Sequence, residues 1–143
     1  MYDKTLVLET LQHIEDVLCV LIDGTADITD IDELSKSADG MLRLNGICMG
    51  LFAVGEEVKN LDKRSNKELL PQYPSVPWRK IMGLRDIIAH HYFEIEAEQT
   101  FTILRNDVPP LLDVIRQMQN DLNQSFDQRG NPLQVEVSMK IMV

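Results

Sequence analysis

The chain has 143 residues and a mass of 16.4 kDa, about one domain's worth, and can bury roughly 68–70% of its unfolded surface without a metal or disulfide staple. Hydrophobic residues make up 44% and charged residues 26%, an ordinary globular balance that argues against global disorder. The net charge of −9 by itself disfavours nucleic acid as a partner.

That charge is unevenly spread. Residues 1–40 carry ten acids against Lys4 and Lys36, whereas residues 59–85 carry seven bases against Asp62 and Glu68. The basic stretch reads either as a phosphate-attracting face on an acidic protein or as a solvated basic loop. The longest unbroken apolar run, Val17–Ile22, is far shorter than the ~20 residues of a membrane-spanning helix. Patterned sequence starts close to Met1, so no signal peptide is expected. Cys19 and Cys48 sit among apolar neighbours and read as small buried thiols in a reducing cytoplasm. No Cys-x-x-Cys occurs, so structural zinc is not expected.

In chain order, Val7, Leu11, Ile14, Leu18 and Leu21 recur at three- and four-residue steps, which predicts an amphipathic helix from about Lys4 to Asp23. Gly24 and Thr25 break it. Thr29 or Asp30 offers an N-cap for a second helix, with Leu34, Ala38, Met41, Leu44, Cys48, Leu51, Phe52 and Val58 carrying its stripe to about Leu61. Gly40, Gly46, Gly50 and Gly55 are unfavourable inside a helix and predict close helix approach or a kink. Residues 62–76 read as a loop closed by Pro71, Pro74 and Pro77, and Pro77-Trp78 suits the start of a third helix running to about His90. A fourth helical stretch begins near Glu96, where Pro109-Pro110 should interrupt or kink it before a last stripe of Leu111, Val114, Ile115, Met118 and Leu122. After Gly130-Asn131-Pro132 the tail alternates like a short strand with nothing evident to pair with. The expectation is all-α: one four- to five-helix bundle over residues 1–126 and a tail, 127–143, of unspecified structure.

Chemistry concentrates in Gly83–Glu96. Arg85 is a fixed, planar cation suited to a phosphate; His90 and His91 belong to the residue type that titrates near neutrality; Tyr92 offers a phenol hydroxyl. Asp86 stands four residues before His90, so on a helix it can orient the imidazole. Arg85 and His90 are five apart, about 140° around a helix. They converge only if Arg85 reaches across, if the helix end is distorted, or if a second subunit completes the site. The plainer reading has Arg85 pairing with an acid, both histidines capping a helix end and Tyr92 packing in the core. His13 reads as a surface histidine without a second ligand, and Gly55, Glu56 and Trp78–Ile81 read mainly as scaffold, with Trp78 buried.

The pattern Arg-x-x-x-x-His-x-Tyr, standing as Arg85, His90 and Tyr92, resembles the signature of HepT-like proteins of the HEPN superfamily, the toxin halves of HEPN/MNT toxin–antitoxin pairs. Val54-Gly-Glu-Glu-Val-Lys59, Val76-Pro-Trp-Arg-Lys-Ile-Met-Gly83 and Val108-Pro-Pro-Leu-Leu112 resemble three flanking segments of that family in the same order. Asp86 stands where the family usually has Asn, His91 is an additional histidine, and residues 127–143 match no part of the pattern. The resemblance implies a helical homodimer and a metal-independent, cytoplasmic endoribonuclease that needs no cofactor, with its cleft at the dimer interface. It implies Arg85 and His90 as catalytic and Tyr92 as the residue to which a minimal nucleotidyltransferase antitoxin transfers AMP; Asp86 and His91, which depart from the family pattern, are expected as supporting groups beside them. Two other readings stay open: a non-catalytic accessory or substrate-binding subunit of such a nucleotidyltransferase, and a plain helical oligomerisation protein.

Overall fold

The computed structural model of the chain describes residues 2–127. Helix α1 (Lys4–Asp23) begins where Asp3 accepts a hydrogen bond from the Leu6 N–H at 3.2 Å. Its expected stripe, Val7, Leu11, Ile14, Leu18 and Leu21, is buried throughout. At ~1.5–3 kcal/mol for each fully buried aliphatic side chain, that stripe is the axis of the core. It packs between α2 (Ala38–Arg64) and α5 (Val108–Asp127). Both neighbours run antiparallel to it: Arg64 donates to the Thr10 hydroxyl at 2.7 Å, and Arg116 pairs with Glu15 at 2.8 Å.

The second expected helix is split. Asp30 and Glu33 do cap reciprocally, the Glu33 carboxylate accepting from the Asp30 and Thr29 N–H groups at 2.9 and 2.8 Å, but they cap a 3₁₀ turn, Ile31–Leu34. Those two backbone hydrogen bonds hold the Glu33 carboxyl below the ordinary carboxylate range. Ser37 caps α2 itself by accepting from the Gly40 N–H at 2.9 Å. Two start signals follow one another here, and the buried Leu34 keeps the apolar pattern running across the break. Met41, expected in the stripe, is exposed.

Three of the four glycines in α2 sit where another element approaches. At Gly50 an added Cβ would stand 2.7 Å from Leu21 Cδ2. Gly46 faces open space and makes no close approach.

Helix α2 ends in a left-handed turn at Asn66 and Lys67, after which Leu70–Gln72 forms a 3₁₀ turn. Trp78 opens α3 (Trp78–His91), buried as expected, with its indole N–H donating to the Tyr73 carbonyl at 2.9 Å. The Tyr73 hydroxyl donates to Asp121 at 2.5 Å; burial first, and this hydrogen bond second, raise the phenol above its ordinary range.

Beyond a 3₁₀ turn at Tyr92–Glu94, the short α4 (Ala97–Thr102) widens into a π-helical turn, Ile103–Asp107, and α5 follows at once. Pro109 and Pro110 therefore stand in the first turn of α5 and do not kink it. Neither has an N–H to donate four residues back, and the wide turn ahead of them takes up the mismatch. Arg105, in that turn, donates to the carbonyls of Thr25 and Ile28 at 2.7 and 2.6 Å and stacks over Phe101, tying the turn to the loop after α1. Leu111, Ile115, Met118 and Leu122 are buried as the pattern predicts, and Val114 is half-buried. The architecture is all-helical over the described residues, and none of its helices is long and apolar enough to cross a membrane. The expected tail strand lies outside the described residues.

Candidate active site

The site is built on α3, and α2 decides how closely α3 can lie. At Gly55 an added Cβ would stand 2.9 Å from the Ile81 carbonyl oxygen and 3.0 Å from the Arg85 nitrogen. The missing side chain lets the backbone of α3 rest directly on α2 at the residue that carries the guanidinium.

Arg85 then turns toward α2. Its Nη1 donates to Asp86 Oδ1 at 3.1 Å, its Nε lies 3.3 Å from Glu56 Oε1, and its guanidinium carbon is 5.7 Å from the centre of the Phe52 ring. Nε is shut off from water yet has no hydrogen bond, so the contact with Glu56 is one of charge without an aligned N–H. The side chain as a whole is 36% exposed. Nη2 has no hydrogen-bond partner among the described residues. A cation floored by an aromatic ring, flanked by displaceable carboxylates and open to solvent, is equipped to take an oxyanion.

Tyr92 lies two turns further along, at the other end of the α2–α3 seam, where its hydroxyl donates to Asn45 Oδ1 and its ring meets Phe93 edge-on at 5.6 Å. It is exposed, so the core reading of Tyr92 does not hold. His90 is exposed in the last turn of α3 and makes no hydrogen bond or ion pair with the described residues. Asp86 is engaged by Arg85 and makes no hydrogen bond to His90. His91 pairs with Glu94 at 3.3 Å on the surface.

The structure therefore brings Arg85 together with Asp86, Glu56 and Phe52, and Tyr92 together with Asn45. It leaves His90 apart. Because α3 stays regular from Trp78 to His91, the distorted helix end that would let Arg85 and His90 converge within one chain is not used.

Glu56, read as scaffold, is instead the acid beside Arg85 Nε. Phe52, expected only as part of the apolar stripe of the second helix, is the floor under the guanidinium, and Asn45 carries no signal of its own in the sequence. Their joint signal is positional: 45, 52 and 56 recur at seven- and four-residue steps on one side of α2. Within the basic stretch, Arg64 is spent inward on Thr10, while Lys59, Lys63, Arg79 and Lys80 are exposed near the junction of α2 and α3. His13 is on the surface, 3.1 Å from Glu57. Among the described residues no three His, Cys, Asp or Glu side chains cluster as a metal site would need.

Comparison with known proteins bears on the same residues. A "Putative RNase MJ0127" of Methanocaldococcus jannaschii is 31% identical over 119 residues, covering 83% of this chain and 88% of its own. A "Putative RNase MJ1380" from the same organism is 29% identical over 98 residues, covering 67% of this chain and 90% of its own. A "Probable ribonuclease HepT" of Thermococcus cleftensis is 26% identical over 65 residues, 46% of this chain and 56% of its own. No solved structure matches the chain significantly. The family model described as ribonuclease HepT-like matches residues 7–118, a span that holds α3 and everything Arg85 and Tyr92 touch, and the chain belongs to that HepT-like family.

Proposed function

We propose that the chain is a metal-independent endoribonuclease that cuts RNA in a cleft between two copies of itself. Arg85 carries this reading: it is held on an aromatic floor with one edge open, and His90 is unengaged on the same helix but not beside it. Two-fold pairing supplies what one chain lacks, an imidazole next to the guanidinium. The surface along the seam supports pairing. Met41, Leu42 and Met49 of α2 and Phe93 after α3 are exposed apolar side chains flanking Tyr92 and Asn45, and Phe93 is 98% exposed.

In the scheme that fits, the 2′-oxygen of one nucleotide attacks the adjacent phosphorus as the P–O5′ bond breaks. The products are a 2′,3′-cyclic phosphate and a free 5′-hydroxyl. One proton leaves the 2′-hydroxyl and one arrives at O5′, and His90 serves that transfer. Arg85 neutralises charge gathering on the non-bridging phosphoryl oxygens. Asp86 and Glu56 hold the guanidinium until phosphate displaces them, and His91 is a supporting group at the rim.

The chain is further read as the toxin of a HEPN/MNT pair, silenced when a partner nucleotidyltransferase transfers AMP to Tyr92. The added phosphate would lie on the Arg85 side of α3 and repel RNA. The second reading, a non-catalytic accessory subunit of such a nucleotidyltransferase, draws on the two carboxylates that already occupy Arg85 and on the net charge of −9.

Purified protein incubated with RNA separates the two. Wild type should yield cyclic-phosphate ends in the presence of a chelator, and His90→Ala should cut ~10²–10⁴-fold more slowly, as loss of a general acid–base group does. Intact RNA with wild type, at concentrations where the protein binds it, would favour the accessory reading.

A further inference from the structure

Among the described residues, the cations divide by what they touch. Lys36, Arg43 and Arg116 stand in ion pairs, and Arg64 and Arg105 donate to protein oxygens. Lys59, Lys63, Lys67, Arg79 and Lys80 are exposed and have no ion pair or side-chain hydrogen bond among the described residues. They gather where α2 ends and α3 begins, on a chain whose net charge is −9. Like charges held together without counter-charges make a local positive field, which a polyanion can find even on an acidic protein.

Three of these cations continue the two lines of side chains that meet at Arg85. On α2, Lys59 and Lys63 follow Glu56 at three- and seven-residue steps, on the side that also carries Asn45 and Phe52. On α3, Arg79 stands seven residues before Asp86 and shares its side. Arg85 touches both lines, its Nε 3.3 Å from Glu56 and its Nη1 bonded to Asp86. Lys80 is elsewhere: it lines the apolar groove on the opposite flank of α3 with Leu84 and Ile87. Lys67 lies in the left-handed turn beyond α2. The neighbouring acids are committed or turned aside. Glu57 is engaged by His13 and Asn60, Glu68 acts on Tyr2, and Asp62 is half-buried and ~120° around α2 from Glu56.

We infer that Lys59, Lys63 and Arg79 form a track for the phosphodiester backbone of an RNA strand, leading along the α2–α3 seam to the phosphate held at Arg85. The track rests on the ribonuclease reading and adds to it where the strand lies. From Glu56 to Lys63 the helix rises ~10 Å, and a stacked strand advances ~3.4 Å per phosphate, so the track takes about three phosphates on one side of the bond that is cut. The exposed apolar side chains that support pairing flank Tyr92 at the other end of the seam, which leaves the basic end open. Phosphates carry no sequence, so this contact fixes the position of the strand and leaves the choice of base to other groups.

Salt dependence tests it, with a fluorescein-labelled single-stranded RNA bound to the full chain carrying His90→Ala so that the RNA stays whole. Adding Lys59→Ala, Lys63→Ala and Arg79→Ala should flatten the slope of log affinity against log salt by about 2, since each phosphate contact to a single strand contributes ~0.7. In the chain that keeps His90, the same three changes should raise KM about tenfold at low salt with kcat little moved, because contacts remote from the cut bond are equal in ground and transition states. Lys80→Ala, a loss of like charge on the opposite flank of α3, should leave slope and KM near wild type. A triple variant with wild-type slope and KM would overturn the track while wild-type cleavage still upheld the ribonuclease reading. So would an effect of Lys80→Ala as large as that of Arg79→Ala, because net charge and not position would then be acting. Wild-type protein that neither binds nor cuts RNA would overturn both.

Discussion

Arg85 and Arg105 are the same side chain on the same kind of floor, and they are spent differently. Each guanidinium lies over a phenylalanine ring, Arg85 over Phe52 at 5.7 Å and Arg105 over Phe101 at 4.9 Å. Arg105 gives its hydrogen bonds to two backbone carbonyls, those of Thr25 and Ile28, in the loop that its own π-turn must hold. Carbonyls of a folded loop cannot move aside, and no ligand displaces them. Arg85 faces the carboxylates of Glu56 and Asp86, side chains 44% and 55% exposed that can rotate away when a phosphate arrives. One arginine is a latch. The other is a cation kept in position for something that is not yet there.

The contrast breaks most visibly under alanine. Arg105→Ala should destabilise the fold by about 2–4 kcal/mol in denaturant unfolding, because it strips charge-assisted hydrogen bonds and leaves their acceptors unpaired. Arg85→Ala should cost less than about 1 kcal/mol, the range of exposed ion pairs, yet reduce RNA cleavage ~10²–10³-fold. Equal stability losses would mean that Arg85 is also a latch.

Geometry at Arg85 can be disturbed without touching its charge. Gly55→Ala forces a Cβ against the α3 backbone at Ile81 and Arg85, and should cost about 1–3 kcal/mol while lowering cleavage. Gly46→Ala on the same helix meets nothing within 4 Å and should instead stabilise by about 0.5–1 kcal/mol. The smallest effect belongs to the competing carboxylate. Asp86→Asn removes a negative charge from Nη1 and should tighten RNA binding about two- to fivefold at low salt, fading as salt rises, with kcat little changed.

What the sequence makes legible follows the range of the forces involved. Helices α1 and α5 are readable because burial of one face imposes a period on neighbouring residues, and α3 because Pro77-Trp78 marks its start, although Trp78 is its one buried side chain among the described residues. The split before α2 is harder to read, since Asp30–Glu33 and Ser37 both carry the chemistry of a helix start and Leu34 continues the stripe across the gap. The π-turn leaves only Pro109-Pro110 as its trace. At the site, Arg85, His90 and Tyr92 stand out as a motif on one element. Glu56, Phe52 and Asn45 reach them from α2 across the fold, and a pairing 29 to 47 residues away in the chain has no local signature.

Separation of Arg85 from His90 within one chain is the central feature of the site, and mixing two inactive proteins tests it most directly. Arg85→Ala and His90→Ala variants, co-folded in equal amounts, should recover roughly a quarter of wild-type cleavage, because half the two-fold pairs then carry one intact site made from both subunits. A mixture as inactive as either variant alone, although mass measurement shows the mixed pairs formed, would contradict a site completed by a second copy.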